Sequence, residues 1–219
     1  MRLLATKVLP LPFKERLLQQ NFSIVEHPFV TIEPLVIEPK KWEKHIILTS
    51  QNATKIFLAQ TDSTHWIQDL IFYCVGAKSA ALLNEKKAVV QEVASSASQL
   101  AATIVAHYKD KHFSYCCGKK RLRIIEDVLN EAHVSLNIYE VYNTLLTPKK
   151  IASRPDGILF YSPSAVESYL QQNSLEGIHS FCIGPTTAHK VQEYSSYYSV
   201  AKEPSNNFIF LQLMQHYYA

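Results

Sequence analysis

The sequence predicts an α/β protein with two parallel-sheet lobes, the first of which is discontinuous along the chain. Apolar segments of strand length alternate with helical patterns through the 219 residues, and this alternation is typical of parallel sheets. One strand–turn–helix pattern occurs twice, which indicates an internal repeat. The second copy ends before the chain supplies all the strands of the first, so part of its sheet has to come from the N-terminus.

The composition suits a soluble globular protein, because 47% of the residues are hydrophobic and 19% are charged. Its apolar runs are far shorter than the roughly 18 residues of a membrane span, so we expect no membrane segment. Lys7, Pro10 and Pro12 interrupt the apolar N-terminus and no small-residue cleavage site follows, which argues against a signal peptide. The net charge of +3 is too small to indicate a nucleic-acid partner by itself.

Residues that commonly bind metals or nucleotides form no recognisable motif. The adjacent Cys116 and Cys117 fit neither a disulfide framework nor a zinc site, so we predict four buried thiols in a reducing cytoplasm, with Cys74 and Cys182 as the others. The nine histidines lack metal-ligand spacing, so we expect no metal. Neither a complete P-loop nor a G-x-G-x-x-G motif is present, so nucleotide binding has no motif support.

Three pairs of segments recur in the same order at a nearly constant spacing. Segment 45–57 matches 157–170, with Ser50 equivalent to Ser162 at a shift of 112 positions. Segment 73–83 matches 181–191, with Gly76 equivalent to Gly184 at a shift of 108. Segment 90–108 matches 198–217, with Ala94 equivalent to Ala201 at a shift of 107. This agreement predicts two copies of one α/β unit. The alternative is that unrelated strand–turn–helix units share the same local pattern.

The two copies are not arranged as a simple tandem. The first copy continues through three further elements, a strand at 112–118, a helix at 119–132 and a strand at 135–144. The second copy has no such continuation. We therefore expect its missing elements at the N-terminus, as a strand at 2–8, a helix near 13–20 and a strand within 22–35.

This assignment places lobe 1 in residues 1–34 and 147–219 and lobe 2 in residues 35–146. The chain then crosses between the lobes near 31–38 and 140–148. Both crossings are extended and β-rich, so we expect them to pair as a two-stranded hinge. A cleft between the lobes would be lined by the carboxyl ends of the strands, where open α/β sheets bind their ligands.

The strand-to-helix turns carry helix-capping chemistry. Ser162, which a proline follows, can cap a helix. The pairs Ser164–Glu167 and Ser96–Gln99 have the spacing of a capping box. Apolar residues also recur at helical spacing within 122–132, namely Leu122, Ile125, Leu129 and Ala132.

Several predicted helix starts are candidate anion sites, because helix N-termini present unpaired N–H groups and a partial positive charge. The candidates lie near Ser50, Ser79, Ser162 and Thr187, whose hydroxyls can donate to a carboxylate. The alternative is that each hydroxyl only caps its own helix. The run GKKRLR (118–123) places positive charge at another helix start, where an anion would relieve the unfavourable dipole interaction. The alternative for this run is a solvated surface.

Seven segments together resemble the uroporphyrinogen-III synthase family over nearly the whole chain. In the family's order they are ILTSQNAT, YCVGAKSAALL, the CCG with its basic turn, IYEVYNT, ILFYSPSAVESYL, CIGPTTA and VAKEPS. The resemblance implies two flavodoxin-like lobes, the first discontinuous, joined by a two-stranded β-ladder. That organisation agrees with the one drawn from the repeat.

The resemblance also implies an activity, that of a cytoplasmic, monomeric lyase of haem biosynthesis that uses no cofactor. The substrate would be hydroxymethylbilane, a linear tetrapyrrole with acetate and propionate groups. Its terminal hydroxyl would leave as water, and the last pyrrole ring would be inverted through a spiro intermediate. Spontaneous closure gives the uninverted isomer, so such an enzyme has to control geometry as well as rate.

Residue roles follow from the same resemblance. Tyr142 of VYNT corresponds to the tyrosine that assists water loss, and the alternative for Tyr142 is packing at the hinge. Ser79 and Thr187 correspond to two family threonines, and Lys7 to an arginine after the first strand. The predicted substrate-binding residues are Ser50, Asn52, Ser79, Lys119, Lys120, Arg121, Ser162, Ser164, Thr187 and Lys7.

Two other functions remain open at this level. One is a non-catalytic two-lobed binding protein that closes on a small polycarboxylate ligand. The other is a degenerate relative of the synthase that has been kept for regulation. A tyrosine at the predicted hinge favours the enzyme.

Overall fold

The computed structural model describes residues 1–36, 42–61 and 65–218. Its elements, in chain order, are β1 (Arg2–Ala5), α1 (Leu11–Leu18), β2 (Ser23–Glu26), β3 (Val30–Pro34), β4 (His45–Leu48), α2 (Gln51–Thr61), a 3-10 helix (His65–Asp69), β5 (Ile71–Val75), α3 (Ala77–Glu85), β6 (Val89–Ala94), α4 (Ala97–His107), β7 (His112–Gly118), α5 (Ile124–Glu131), β8 (Ser135–Leu146), β9 (Gly157–Phe160), α6 (Pro163–Leu170), β10 (His179–Cys182), α7 (Pro185–Gln192), β11 (Tyr198–Val200) and α8 (Asn206–Tyr218).

The chain divides into two compact units. Unit 1 comprises Met1–Thr31 and Leu145–Ala219, and unit 2 comprises Ile32–Thr144. The chain passes between the units inside the two predicted crossings, although residues 37 and 38 of the first crossing lie outside the described residues. The lobe boundaries drawn from the sequence, after residues 34 and 146, stay predictions.

Unit 1 contains a five-stranded sheet in the order β11-β10-β9-β1-β2, with every pair parallel. Numbered along the unit's own chain, this is the flavodoxin-like order 2-1-3-4-5. The N-terminal strand is an inner strand, since Leu3 pairs with both Ile24 and Gly157. The N-terminus therefore supplies the missing strands of the second repeat copy, and the first lobe is discontinuous as predicted.

Unit 2 contains a six-stranded sheet in the order β3-β8-β7-β4-β5-β6. The five strands from β8 to β6 are parallel and follow the other doubly wound order, 3-2-1-4-5. Strand β3 lies at the β8 edge, where Leu35 N–H donates to Val141 O at 2.9 Å. This pairing forms the two-stranded ladder expected of the chain crossings.

The two sheets have the same spatial arrangement of equivalent strands. The repeat relates β4, β5 and β6 to β9, β10 and β11, and these occupy the same relative positions in their sheets. Strands β7 and β8 of unit 2 then correspond in space to β1 and β2 of unit 1. Unit 1 is therefore a circularly permuted copy of unit 2, and the internal repeat is confirmed.

Both faces of each sheet are covered by helices, which explains why inner strands such as β4, β5 and β9 are nearly continuous apolar runs. In unit 2, α2 and α3 pack on one face and α4 and α5 on the other. In unit 1, α1 and α8 share one face and α6 and α7 the other. The longest described helix, α8, has 13 residues, and within the described parts of the chain no helix is long and apolar enough to cross a membrane.

The four cysteines are buried free thiols, as predicted. Burial raises the pKa of Cys74 to about 11 and those of Cys117 and Cys182 to about 12. Such thiols stay protonated near neutral pH and pack as small apolar groups.

Two local predictions need correction. The helix expected from residue 119 begins only at Ile124, and Leu122 is 70% exposed instead of lying on the buried helical face. Ser164 lies inside α6 and forms no capping box, because Ser162 caps that helix by accepting from Ala165 N–H at 3.2 Å. The cap expected at Ser96 is present.

Candidate functional site

Each unit has one position where a doubly wound sheet is expected to bind a ligand. At this switch point, neighbouring parallel strands send their following helices to opposite faces, which leaves a crevice at their carboxyl ends. In unit 2 the switch point lies between β4 and β7, which lead into α2 and α5. In unit 1 it lies between β1 and β9, which lead into α1 and α6.

Tyr142 lies at the switch point of unit 2. It is 8% exposed, stands on β8 and pairs with Gly118, the last residue of β7. A Cβ atom added at Gly118 would lie 2.6 to 2.8 Å from Cζ, Cε2 and Oη of the Tyr142 ring. The phenol therefore occupies the space that any side chain at residue 118 would fill. Lys119 N–H also donates to Tyr142 O at 2.9 Å, which fixes the backbone on both sides of the contact.

The Tyr142 hydroxyl meets the start of α2. Its oxygen lies 3.2 Å from Ser50 Oγ, and either hydroxyl can be the donor. Ser50 Oγ also accepts from Ala53 N–H at 3.1 Å, so this serine caps its helix and contacts the phenol with the same oxygen. Ser50 therefore caps α2, which was the alternative role considered from the sequence, and it also contacts Tyr142.

The basic turn after β7 is partly neutralised by the protein itself. Lys119 and Lys120 are exposed, whereas the side chain of Arg121 is 18% exposed and forms ion pairs with Glu126 at 2.7 Å and Glu140 at 2.9 Å. Arg123 Nε lies 3.8 Å from Asp127. Acidic side chains in and beside the first turn of α5 thus offset part of the positive charge that the sequence places there.

The helices that follow β5 and β10 begin differently from their neighbours. Gly76 and Gly184 occupy their N-cap positions, and within the described residues no side chain caps either helix. Ser79 N–H and Thr187 N–H donate to the N-cap carbonyls at 3.1 and 3.2 Å, and Pro185 has no N–H. Within the described residues, the N–H groups of Ala77, Lys78 and Thr186 are left for another acceptor. Ser79 and Thr187, the third residues of α3 and α7, are each 1% exposed, and Ser79 Oγ has no hydrogen-bond partner within the described chain.

The switch point of unit 1 carries a lysine and a tyrosine in contact. Lys7 Nζ lies 3.9 Å from the ring centroid of Tyr161, the residue that follows β9. The Tyr161 hydroxyl donates to Asn206 Oδ1 at 3.1 Å. Burial raises the pKa of Tyr161, so its phenol is a weaker acid than an ordinary tyrosine.

The structure thus gathers the predicted residues into two groups, one within each unit. Ser50, Tyr142 and Arg121 lie at the switch point of unit 2, with Lys119 and Lys120 in the adjoining turn. In unit 1, Lys7 and Ser162 follow the two switch-point strands. Asn52 is exposed in the first turn of α2, and Ser164 is half-buried in the first turn of α6.

Sequence reasoning missed three residues that shape these sites: Glu126, Glu140 and Tyr161. Gly118 is different, because a glycine between a predicted strand and helix indicates a close approach, and only the identity of its partner, Tyr142, was not predicted. The acidic pair lies five and nineteen positions from its arginine, so no short-range spacing indicated the contact. Within the described residues, no group of three or more histidines, cysteines or carboxylates could hold a metal ion.

Comparisons with known proteins agree with this architecture. A uroporphyrinogen-III synthetase from Helicobacter pylori superposes with a TM-score of 0.77 at 18% identity, covering 99% of this chain and 100% of that one. A mutant uroporphyrinogen III synthase from Thermus thermophilus gives 0.68 at 14% identity over 98% of both chains. The wild-type Thermus protein in another crystal form gives 0.53 at 14% identity over 100% of both. These likenesses show a shared fold.

Among curated protein sequences, none matches the chain. A family model described as uroporphyrinogen-III synthase HemD, by contrast, matches residues 12–210. That range includes both switch points except for Lys7 and the first strand. The chain therefore belongs to the uroporphyrinogen-III synthase HemD family.

Proposed function

We propose that the chain is an active uroporphyrinogen-III synthase, a hydro-lyase that closes hydroxymethylbilane with loss of water and inversion of the last pyrrole ring. The observation that carries the proposal is the position of Tyr142. In a member of this family, its phenol lies against Gly118 at a switch point and touches a helix start through Ser50.

The contact with Ser50 can orient the hydroxyl hydrogen of Tyr142. When Ser50 Oγ accepts from Ala53 N–H, its own hydrogen can be donated to Tyr142 Oη. The phenol proton is then available to a departing hydroxyl, which needs a proton to leave as water. A positioned acid of this kind typically contributes about 10²–10⁴-fold to a rate.

The acetate and propionate groups of the substrate need anion sites, and the uncapped starts of α3 and α7 are our candidates. Their first-turn N–H groups and helix dipoles favour carboxylates. Ser79 and Thr187 are only 1% exposed, so their hydroxyls would add donors there only after the first turn opens toward the ligand. Lys119, Lys120 and Lys7 supply positive charge beside the switch points. Several fixed anchors would hold the flexible bilane in the folded shape that inversion requires.

The decisive experiment is to incubate the purified protein with enzymatically generated hydroxymethylbilane and to separate the porphyrin isomers after oxidation. We expect the inverted isomer III in excess over the spontaneous isomer I. A product mixture equal to the protein-free control would overturn the proposal. Tight binding of the bilane without a change in that mixture would instead support a binding protein or a degenerate relative.

A methyl-esterified tetrapyrrole tests the anion sites separately. We expect it to bind at least about tenfold more weakly than the free acid, because it removes charge-assisted hydrogen bonds at several anchors. Equal affinity of the two ligands would contradict carboxylate recognition at the helix starts.

The same proposal includes a monomeric, cytoplasmic enzyme with lobes bounded near residues 34 and 146. Light scattering after size exclusion should give the mass of one chain, 25.0 kDa. Cell fractionation checks the location. A fragment covering residues 35–146 should fold alone if these boundaries are right, and amide-proton NMR dispersion would show whether it does.

A further inference from the structure

The turn that follows β7 is held by one arginine. Arg121 Nη1 donates to Gly118 O at 3.0 Å and to Lys119 O at 3.3 Å. The same atom donates to Glu140 Oε1 at 2.9 Å, and Nε donates to Glu126 Oε1 at 2.7 Å. The guanidinium group is therefore directed at its own turn and at two carboxylates of its own unit.

Glu126 makes this arrangement difficult to change. Its side chain is 0% exposed, it is the third residue of α5, and its second oxygen has no hydrogen-bond partner within the described residues. A buried carboxylate is tolerated when a positive charge pairs with it. Burial lowers the pKa of Arg121, but the hydrogen bonds to Glu140 and Glu126 outweigh that effect and leave the pKa above its ordinary value.

The two carbonyl groups held by Arg121 belong to the residues that position Tyr142. Gly118 lies directly under the phenol ring, and Lys119 N–H bonds Tyr142 O. If this turn moves, the space beneath the ring and the distance from Tyr142 Oη to Ser50 Oγ move with it. The network thus connects a fully buried carboxylate to the placement of the proposed acid.

Unit 1 also has a carboxylate on the strand beside its switch-point turn, two register positions away from that of Glu140. Ala5 is equivalent to Tyr115 and not to Cys117, because Leu159 pairs with Ala5 and its repeat equivalent Ile47 pairs with Tyr115. Glu140 pairs with Cys117, the residue before Gly118, and Glu26 pairs with Ala5, the residue before Thr6. Glu26 Oε1 accepts from Leu9 N–H at 2.7 Å, and its Oε2 accepts from Lys14 Nζ at 2.6 Å. In both units a carboxylate on the neighbouring strand thus bonds the segment that follows the switch-point strand, but from different positions and with different partners.

We propose that Arg121 is a positioning residue and not a substrate contact, and that with Glu126 it controls which isomer the enzyme forms. This inference rests on the proposed function. A loosened turn lets the bilane close before the last ring is held for inversion, and closure outside the controlled geometry gives the uninverted isomer. Arginine is required at this position. A lysine would keep the positive charge, but it has no planar guanidinium group that can donate to two carbonyls and two carboxylates at once.

The test compares Arg121→Lys and Glu126→Gln with the wild-type protein. For both variants we expect kcat to fall about tenfold or more, KM to stay within about twofold and the share of isomer I to rise. The double variant should be no more than about twofold worse than the poorer single variant, since the two residues act through one contact. Arg123→Lys is the matched control, because Arg123 is exposed and touches neither carbonyl; it should behave as wild type.

The opposite pattern would overturn the inference. If Arg121 binds substrate, Arg121→Lys should raise KM with an unchanged isomer ratio, and Glu126→Gln should leave kcat and isomer ratio near those of wild type. If either variant fails to fold, Glu140→Gln removes only the half-exposed partner and should show a smaller change in the same direction.

A crystal structure of Arg121→Lys separates this inference from the proposed function. We expect the contact between Tyr142 Oη and Ser50 Oγ to open beyond 3.5 Å, whatever activity the wild-type protein shows. An unchanged contact would overturn the positioning role, whereas an inactive wild-type protein would overturn the proposed function alone.

Discussion

The switch points of the two units differ in what holds their charged and phenolic groups. In unit 2, Arg121 is fixed by carboxylates and the Tyr142 hydroxyl touches Ser50 at a helix start. In unit 1, Lys7 lies over the face of Tyr161, whose hydroxyl is directed at Asn206. The two switch-point tyrosines thus differ in the partners of their hydroxyls, a helix-capping serine in unit 2 and an asparagine in unit 1. We propose that this difference decides whether the phenol can act as a proton donor or only packs.

The strongest test of this comparison is the removal of each phenolic hydroxyl. Tyr142→Phe should lower the rate of closure to the inverted isomer by about 10²–10⁴-fold with little change in binding, because it removes the acid and keeps the ring. Tyr161→Phe should change the rate only slightly. Single-turnover kinetics with isomer separation measure both. A loss below about tenfold for Tyr142→Phe, with the fold intact, would leave the proton transfer to water or to backbone donors.

Two glycines provide the next test, since Gly118 lies against the Tyr142 ring and Gly184 contacts no ring. Gly118→Ala should displace Tyr142 and lower the rate by roughly 10²-fold, since misplacement by about 1 Å can cost that much. Overpacking should also destabilise the fold by about 1–3 kcal/mol. Gly184→Ala is the matched control for stability, because its backbone is extended and no neighbouring atom lies within 4 Å of the added Cβ. Equal losses of stability in both variants would contradict the packing argument.

The amino ends of the sheets should differ in their response to acid. His179 of unit 1 is 7% exposed, and its ring centroid lies 4.0 Å from the ring centroid of His216. Burial and the neighbouring His216 lower the pKa of His179 to about 4. An unfolded histidine has a pKa of about 6.5, so the unfolded chain binds more protons between pH 6.5 and 4. Stability should therefore fall across this window as the pH decreases, by about 2–3 kcal/mol from this residue.

Denaturant unfolding between pH 7 and pH 4 measures this effect, and His179→Gln should flatten the curve. His45 of unit 2 is the comparison residue. Burial, followed by Lys111 and Lys44, lowers its pKa too, but its side chain is more exposed and bonded to the Tyr73 hydroxyl. His45→Gln should flatten the curve less. A profile that keeps its full slope in His179→Gln would show that another group governs acid sensitivity.

The smallest expected effect separates two serines that cap equivalent helices. Ser50→Ala and Ser162→Ala should each cost about 1 kcal/mol of stability, because each loses one helix-capping hydrogen bond. Only Ser50→Ala should also slow catalysis, by a few fold, since Tyr142 loses its hydroxyl partner. Thermal unfolding and steady-state rates check the pair. A similar rate loss in both variants would show that the caps act through the substrate instead.

The sequence was sufficient to predict the architecture, because three repeated segments fixed the equivalence of six strands and the missing continuation pointed to the N-terminus. Ser50 and Ser162 follow strand ends as predicted, and Tyr142, predicted in the second crossing, lies within β8. The sequence could not predict the surroundings of Arg121, because Glu126 and Glu140 reach that side chain only after the turn has folded. The late start of α5 has the same cause, since Arg121 binds the carbonyls of Gly118 and Lys119 in a non-helical turn.

The position of β1 between β2 and β9 has a consequence for synthesis on the ribosome. Leu3 is synthesised long before its partner Gly157, which is made only after 153 further residues have been added. Unit 2, whose strands are contiguous, can complete its sheet during that interval. Strands β1 and β2 meanwhile lack the β9 edge that buries them, and an unpaired apolar strand is exposed to aggregation. We therefore expect the nascent N-terminal segment to be exposed to aggregation until β9 has been synthesised.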